Sequence, residues 1–167
     1  HYSSKEAILM DIFDYLTNIF EYDEMLNSKD LDLNANNEIL LQNPEKFYHK
    51  GSEAMKEMFS QEKNLKIWKL LFIQMHHNDA IRKFFQDEIL AKPILFWEGF
   101  FTILKENHII RPECNPKLLA KEYYSFPIYL ILEICVEYKD IPQSSLEDFF
   151  NQAEEHANFL LECVKVN

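Results

Sequence analysis

Glycine is almost missing from this chain: Gly51 and Gly99 are the only two in 167 residues. Phosphate-cradling loops and tight hairpins need glycine at fixed positions, so nucleotide-binding fingerprints and hairpin-rich sheets are excluded from the start. Cysteine is scarce as well. Cys114, Cys135 and Cys163 are odd in number and have no metal-type spacing, which predicts reduced thiols in a cytosol. Basic residues are outnumbered, 17 against 28 acidic, and a net charge of −11 repels nucleic acid and anionic membrane surfaces. No apolar run approaches the roughly 18 residues of a membrane span. No secretory leader, low-complexity tract or internal repeat is visible.

What is present is a rich supply of core formers. Hydrophobic residues make up 47% of the chain and aromatics 14%, enough for one domain with a real interior. The pattern is helical throughout. Ser3 and Glu6 read as a capping box, followed by a stripe of Ile8, Ile12, Leu16 and Ile19 with Leu9, Phe13 and Phe20. Residues 23–37 are polar and rich in Asn and Asp, and read as a loop or frayed end. Asn43-Pro44 starts a helix to about Gln61 carrying Phe47, Tyr48, Met55, Met58 and Phe59. Further helices are predicted over 65–75 and 79–90, the latter broken by Lys92-Pro93. Pro93 opens another, with Gly99 inside it for a close neighbour and Asn107 as its left-handed stop.

The stretch 117–138 organises the rest. Asn115-Pro116 caps it, charges stand only near its ends, and Phe126 to Leu132 is apolar on every side. Such a helix has to be covered all round, partly by its own chain and partly by a second copy. Pro127 in its middle removes one backbone bond and predicts a kink. Ser144 with Glu147 caps the last helix, whose stripe is Leu146, Phe149, Phe150, Ala153, Ala157, Leu160, Leu161 and Val164.

Motifs for chemistry are lacking. No nucleophile elbow, His-Glu-x-x-His or paired-cysteine site occurs, and no His has the Glu three residues earlier that a di-iron bundle needs. His76-His77 is the most metal-like feature, yet neighbouring helical side chains diverge by about 100°. These two read as helix-end polar residues, and no metal or cofactor is expected.

The opening His1-Tyr-Ser-Ser-Lys-Glu-Ala-Ile8 resembles the junction of the TetR family of bacterial transcriptional regulators, where an aromatic-rich recognition helix ends and a connecting helix begins. Phe96 to Tyr124 resembles that family's regulatory domain: an aromatic helix, an Arg-Pro connector, then Asn-Pro-x-x-x-Ala, with Asn107-His108 where many relatives carry glycine. The resemblance implies an all-α bundle of about six to seven helices. Residues 1–3 would end a truncated helix-turn-helix domain, and 4–167 would form the effector-binding and dimerisation domain. His1, Tyr2 and Lys5 would be the remnant that contacts DNA. Because the chain opens on His1 inside this motif, it is expected to be a fragment of a longer, non-enzymatic repressor that meets operator DNA through the missing part.

Trp68, Phe72, Trp97, Phe101 and Tyr123 are expected to wall an effector pocket, with His76 or Tyr123 as its polar contact. The lining suits an apolar, neutral or cationic small molecule. The homodimer would form through Phe126, Tyr129, Leu130, Phe149, Phe150, Ala153, Ala157, Leu160, Leu161 and Val164. The competing reading is a free-standing helical carrier or enzyme for a small apolar molecule.

Overall fold

The computed structural model describes residues 4–22, 41–44, 60–137 and 143–166. Every regular element among them is helical, so the chain is all-α over the described residues. The helices are α1 (Lys5–Tyr22), α2 (Glu62–Gln74), α3 (Asp79–Phe84), a π-helical segment (Phe85–Ala91), α4 (Lys92–Glu106), α5 (Pro116–Glu137) and α6 (Gln143–Val164). The expected loop at 23–37 and nearly all of the helix expected after Pro44 lie outside the described residues.

Local chemistry explains several helix ends. Ser4 Oγ accepts from the Ala7 N–H at 3.1 Å, so Ser4 caps α1. The expected capping box is therefore displaced by one residue, and Glu6 falls at the second helical position instead of the third. Asn78 Oδ1 accepts from both Ala80 and Ile81 N–H, at 3.0 and 3.2 Å, to start α3. Asn115 Oδ1 accepts from Leu118 N–H at 3.2 Å, as the Asn-Pro start of α5 requires.

At the end of α4 the left-handed residue is His108, with φ of 58°, while Asn107 has φ of −94°. His108 N–H donates to Lys105 O and Ile109 N–H to Leu104 O, which is the Schellman pattern with histidine where glycine is usual. Asn107 is displaced from that role because its amide reaches back to Ile103 O.

The largest departure from expectation is at Lys92-Pro93. The chain does not break there. Phe85, Ala91 and Lys92 all keep right-handed helical dihedrals, and α3, the π segment and α4 run on without interruption. In the π segment the ladder is wider, and Lys92 N–H donates to Asp87 O five residues back. That extra room takes the Pro93 ring past the turn it would otherwise strike. Helix α5 likewise continues through Pro127.

The interior forms two clusters. One gathers Leu65, Trp68 and Leu71 of α2, Ile81 and Phe84 of α3, Phe85 and Ile89 of the π segment, Leu130 of α5, and Leu146, Phe149 and Phe150 of α6. The other gathers Phe100, Phe101 and Leu104 of α4, Ile110, Ala120 of α5, and Leu160, Leu161 and Val164 of α6. Helices α5 and α6 contribute to both and form the spine of the molecule. Each fully buried ring or branched side chain here is worth about 1.5–3 kcal/mol of transfer free energy. Among the described elements the pairing of α4 with α5 is the most extensive.

Candidate functional site

The first helical turns of α1 face the end of α2 across an open groove of about 500 Å³. Its apolar floor is Ile8, Leu9 and Ile12 of α1 with Leu70 of α2. Its rim is polar: Lys5 and Glu6 on one side, Gln74, His77 and Asn78 on the other. The floor is part of the α1 stripe, whose outer edge is left open; Ile8 stays 40% exposed. No sequence pattern signals the groove, because the stripe marks an apolar face without saying how much of it a neighbour covers. Lys5 sits on the rim, while His1 and Tyr2 lie outside the described residues.

The six residues expected around one pocket fall into separate places. Trp68 is buried in the first cluster, where Phe85 meets it edge-on at 5.5 Å, and Phe72 packs against the Phe85 ring at 6.0 Å. His76 is exposed in the turn after α2. Trp97, Phe101 and Tyr123 belong to the second cluster, with Trp97 and Tyr123 only 4.3 Å apart between centroids. Phe101 is 1% exposed, while Trp97 and Tyr123 are half-buried. The structure thus assembles one half of the expected wall, Trp97–Phe101–Tyr123, and puts the other half elsewhere.

The residues expected at a dimer contact are also divided. Leu130, Phe149, Phe150, Ala157, Leu160, Leu161 and Val164 are buried inside the single chain. Phe126 and Ala153 are half-buried, and Tyr129 is 54% exposed. Helices α5 and α6 turn other apolar side chains outward: Leu118, Val136 and Phe159 are 63%, 84% and 66% exposed.

The titratable groups describe a structural interior. Burial raises the Tyr124 phenol well above its ordinary range. Burial also raises the Cys135 thiol, against an opposing pull from Lys69, so it is a poor nucleophile. Cys114 and Cys163 are free thiols, the first half-buried and the second exposed. Burial lowers the pKa of His156, with Glu122 acting in the other direction. Among the described residues no group of His, Cys, Asp or Glu is arranged to hold a metal ion, and no helix is long and apolar enough to cross a membrane.

Compared with family models, curated proteins and solved structures, the chain matches none. The class that the fold itself defines is all-α.

Proposed function

We propose that this chain is the regulatory and dimerisation part of a ligand-responsive transcriptional regulator of the TetR type, acting as a cytoplasmic homodimer and repressing transcription. The observation that carries the reading is the His-Tyr-Ser-Ser-Lys-Glu-Ala-Ile motif running directly into the Ser4-capped α1, whose first turns border an apolar groove. In this reading the DNA-reading domain precedes Ser4 and rests on Ile8, Leu9, Ile12 and Leu70. Lys5, on the groove rim, reaches a phosphate. The acidic body, at −11, contributes nothing to DNA affinity by itself.

The effector is an apolar, neutral or cationic molecule received beside the half-buried Trp97–Tyr123 pair. Its binding alters the packing of α4 on α5 and so the position of α1 relative to its copy. The second copy covers the outward apolar side chains of α5 and α6, Leu118, Tyr129, Val136 and Phe159.

The test joins two measurements on this chain. Sedimentation at micromolar concentration is expected to give a dimer. A thermal-shift screen of aromatic, uncharged or cationic compounds is expected to give stabilising ligands whose effect is lost in Trp97→Ala. A monomer that no compound of this class stabilises would overturn the reading.

A further inference from the structure

Helices α5 and α6 run antiparallel: Ala120 clusters with Leu160, Leu161 and Val164, while Leu130 clusters with Leu146, Phe149 and Phe150. The stacked rings of Phe126 and His156 join the two helices midway. Tyr129 stands three residues after Phe126, and Phe159 three after His156. On antiparallel helices equal offsets bring both to the same outer side. Each belongs to a stripe of helical period on that side. On α5 the stripe carries Leu118, Glu122, Tyr129, Glu133 and Val136, and on α6 it carries Asp148, Glu155 and Phe159. All are exposed except Glu133, which is half-buried and accepts from the Tyr129 hydroxyl at 3.0 Å.

The charge on this face has one sign. Between Glu122 and Val164 the described residues include no Lys or Arg, and four carboxylates stand among the exposed apolar side chains. Of the lysines beside it, Lys165 is paired with Glu162. Lys117 and Lys121 lie about 180° and 140° around α5 from Phe126, on the flank turned away from α6. A two-fold contact lays one face on its own copy, so carboxylates meet carboxylates. The apolar gain that opposes this is modest. Leu118, Tyr129, Val136 and Phe159 expose roughly 500 Å² per copy, and about 1,000 Å² for two copies is the lower limit of a specific interface. With so little in hand, the like-charge repulsion decides.

We infer that association through the α5–α6 face is gated by ionic strength: the four carboxylates hold two copies apart in dilute salt, and counterions let the apolar side chains meet. The inference rests on the reading of this face as the dimer contact and adds what controls it. Repulsion between exposed charges reaches across roughly 30 Å in 0.01 M salt and only about 8 Å in 0.15 M, so the response falls in that window.

Sedimentation of the chain in sodium chloride from about 0.01 M to about 0.15 M is the test. The dimer association constant is expected to rise about fivefold to tenfold across the range. The double variant Asp148→Asn, Glu155→Gln removes two of the charges at exposed positions. It should dimerise more tightly in dilute salt and respond less to added salt. Asp11→Asn with Asp14→Asn makes the same change of net charge on α1 and should keep the wild-type response. A dimer equally tight at both salt concentrations, or equal responses from the two double variants, would overturn the inference while leaving the dimer in place. A chain that is monomeric throughout, in wild type and variants alike, would remove the dimer reading and this inference with it.

Discussion

The imidazole of His156 lies flat against the ring of Phe126, with 4.2 Å between centroids and 14° between planes, and this stack joins α6 to α5. Burial at that contact disfavours the charged imidazole, and the nearby Glu122 only partly offsets it, so the folded-state pKa lies below the ordinary 6.5. The sign follows directly. The unfolded chain takes up the proton first, so this contribution to stability is complete above about pH 6.5 and is lost as pH falls toward the folded value. Melting temperature should therefore drop between about pH 7 and pH 5 more in the wild type than in His156→Gln, measured side by side. Equal slopes would show that the stack carries no proton linkage.

His108 supplies the second prediction. Its left-handed backbone costs about 1–2 kcal/mol for a residue with a Cβ, and glycine escapes that cost while losing about 0.4–1 kcal/mol through its freer unfolded state. His108→Gly should stabilise the chain by about 0.5–1 kcal/mol in urea unfolding, with an unchanged denaturant slope. A destabilised variant would mean that the imidazole makes a contribution beyond the turn.

The third concerns the second cluster, where Phe101 and Trp97 stand one helical turn apart with very different cover. Phe101 is 1% exposed, so Phe101→Ala should cost about 3–5 kcal/mol and lower the melting temperature sharply. Trp97 is half-buried, and Trp97→Ala should cost less while removing the response to an apolar ligand. Comparable losses from both, with ligand response retained in Trp97→Ala, would place the ligand elsewhere.

The fourth tests the proposed association. Tyr129 and Val136 are exposed on α5, so Val136→Glu should leave the monomer's unfolding free energy within about 0.5 kcal/mol while turning a dimer into a monomer in sedimentation. Tyr129→Glu would act in the same direction, and it also removes the hydrogen bond from the Tyr129 hydroxyl to Glu133. A dimer that survives both changes would use another face.

Much of the helical framework could be read from residues alone, and the reasons are local. Asn115-Pro116 marked the start of α5 because cap and proline act within one turn of each other. The stripes of α2, α4 and α6 were visible because the helical period is written into neighbouring residues. The run-on through Lys92-Pro93 was not visible, since what accommodates Pro93 is a wider ladder, and its freed carbonyl is answered by Tyr124 from 35 residues away. The exchange of Ser3 for Ser4 and of Asn107 for His108 shows the one-residue ambiguity of termini, where adjacent residues can serve the same role. Counting aromatics identified Trp68 and Trp97 as interior but could not tell that they belong to different clusters, because ring content carries no information on which helices meet. The groove depends on an absence of cover over Ile8, which no periodicity reports.

The end of the chain is fastened in a way that changes how it bears load. Ile110 and Lys165 form an isolated antiparallel bridge, Val166 N–H donates to Ile109 O at 3.1 Å and Arg111 N–H to Val164 O at 2.9 Å. The Arg111 guanidinium adds a bond to Cys163 O at 2.6 Å. Tension applied at the C-terminus is therefore taken up first by the turn between α4 and α5, and the last turn of α6 is shielded from it until those bonds part. A pull on Val166 therefore reaches the α4–α5 connector at Ile109–Arg111 before it unwinds α6.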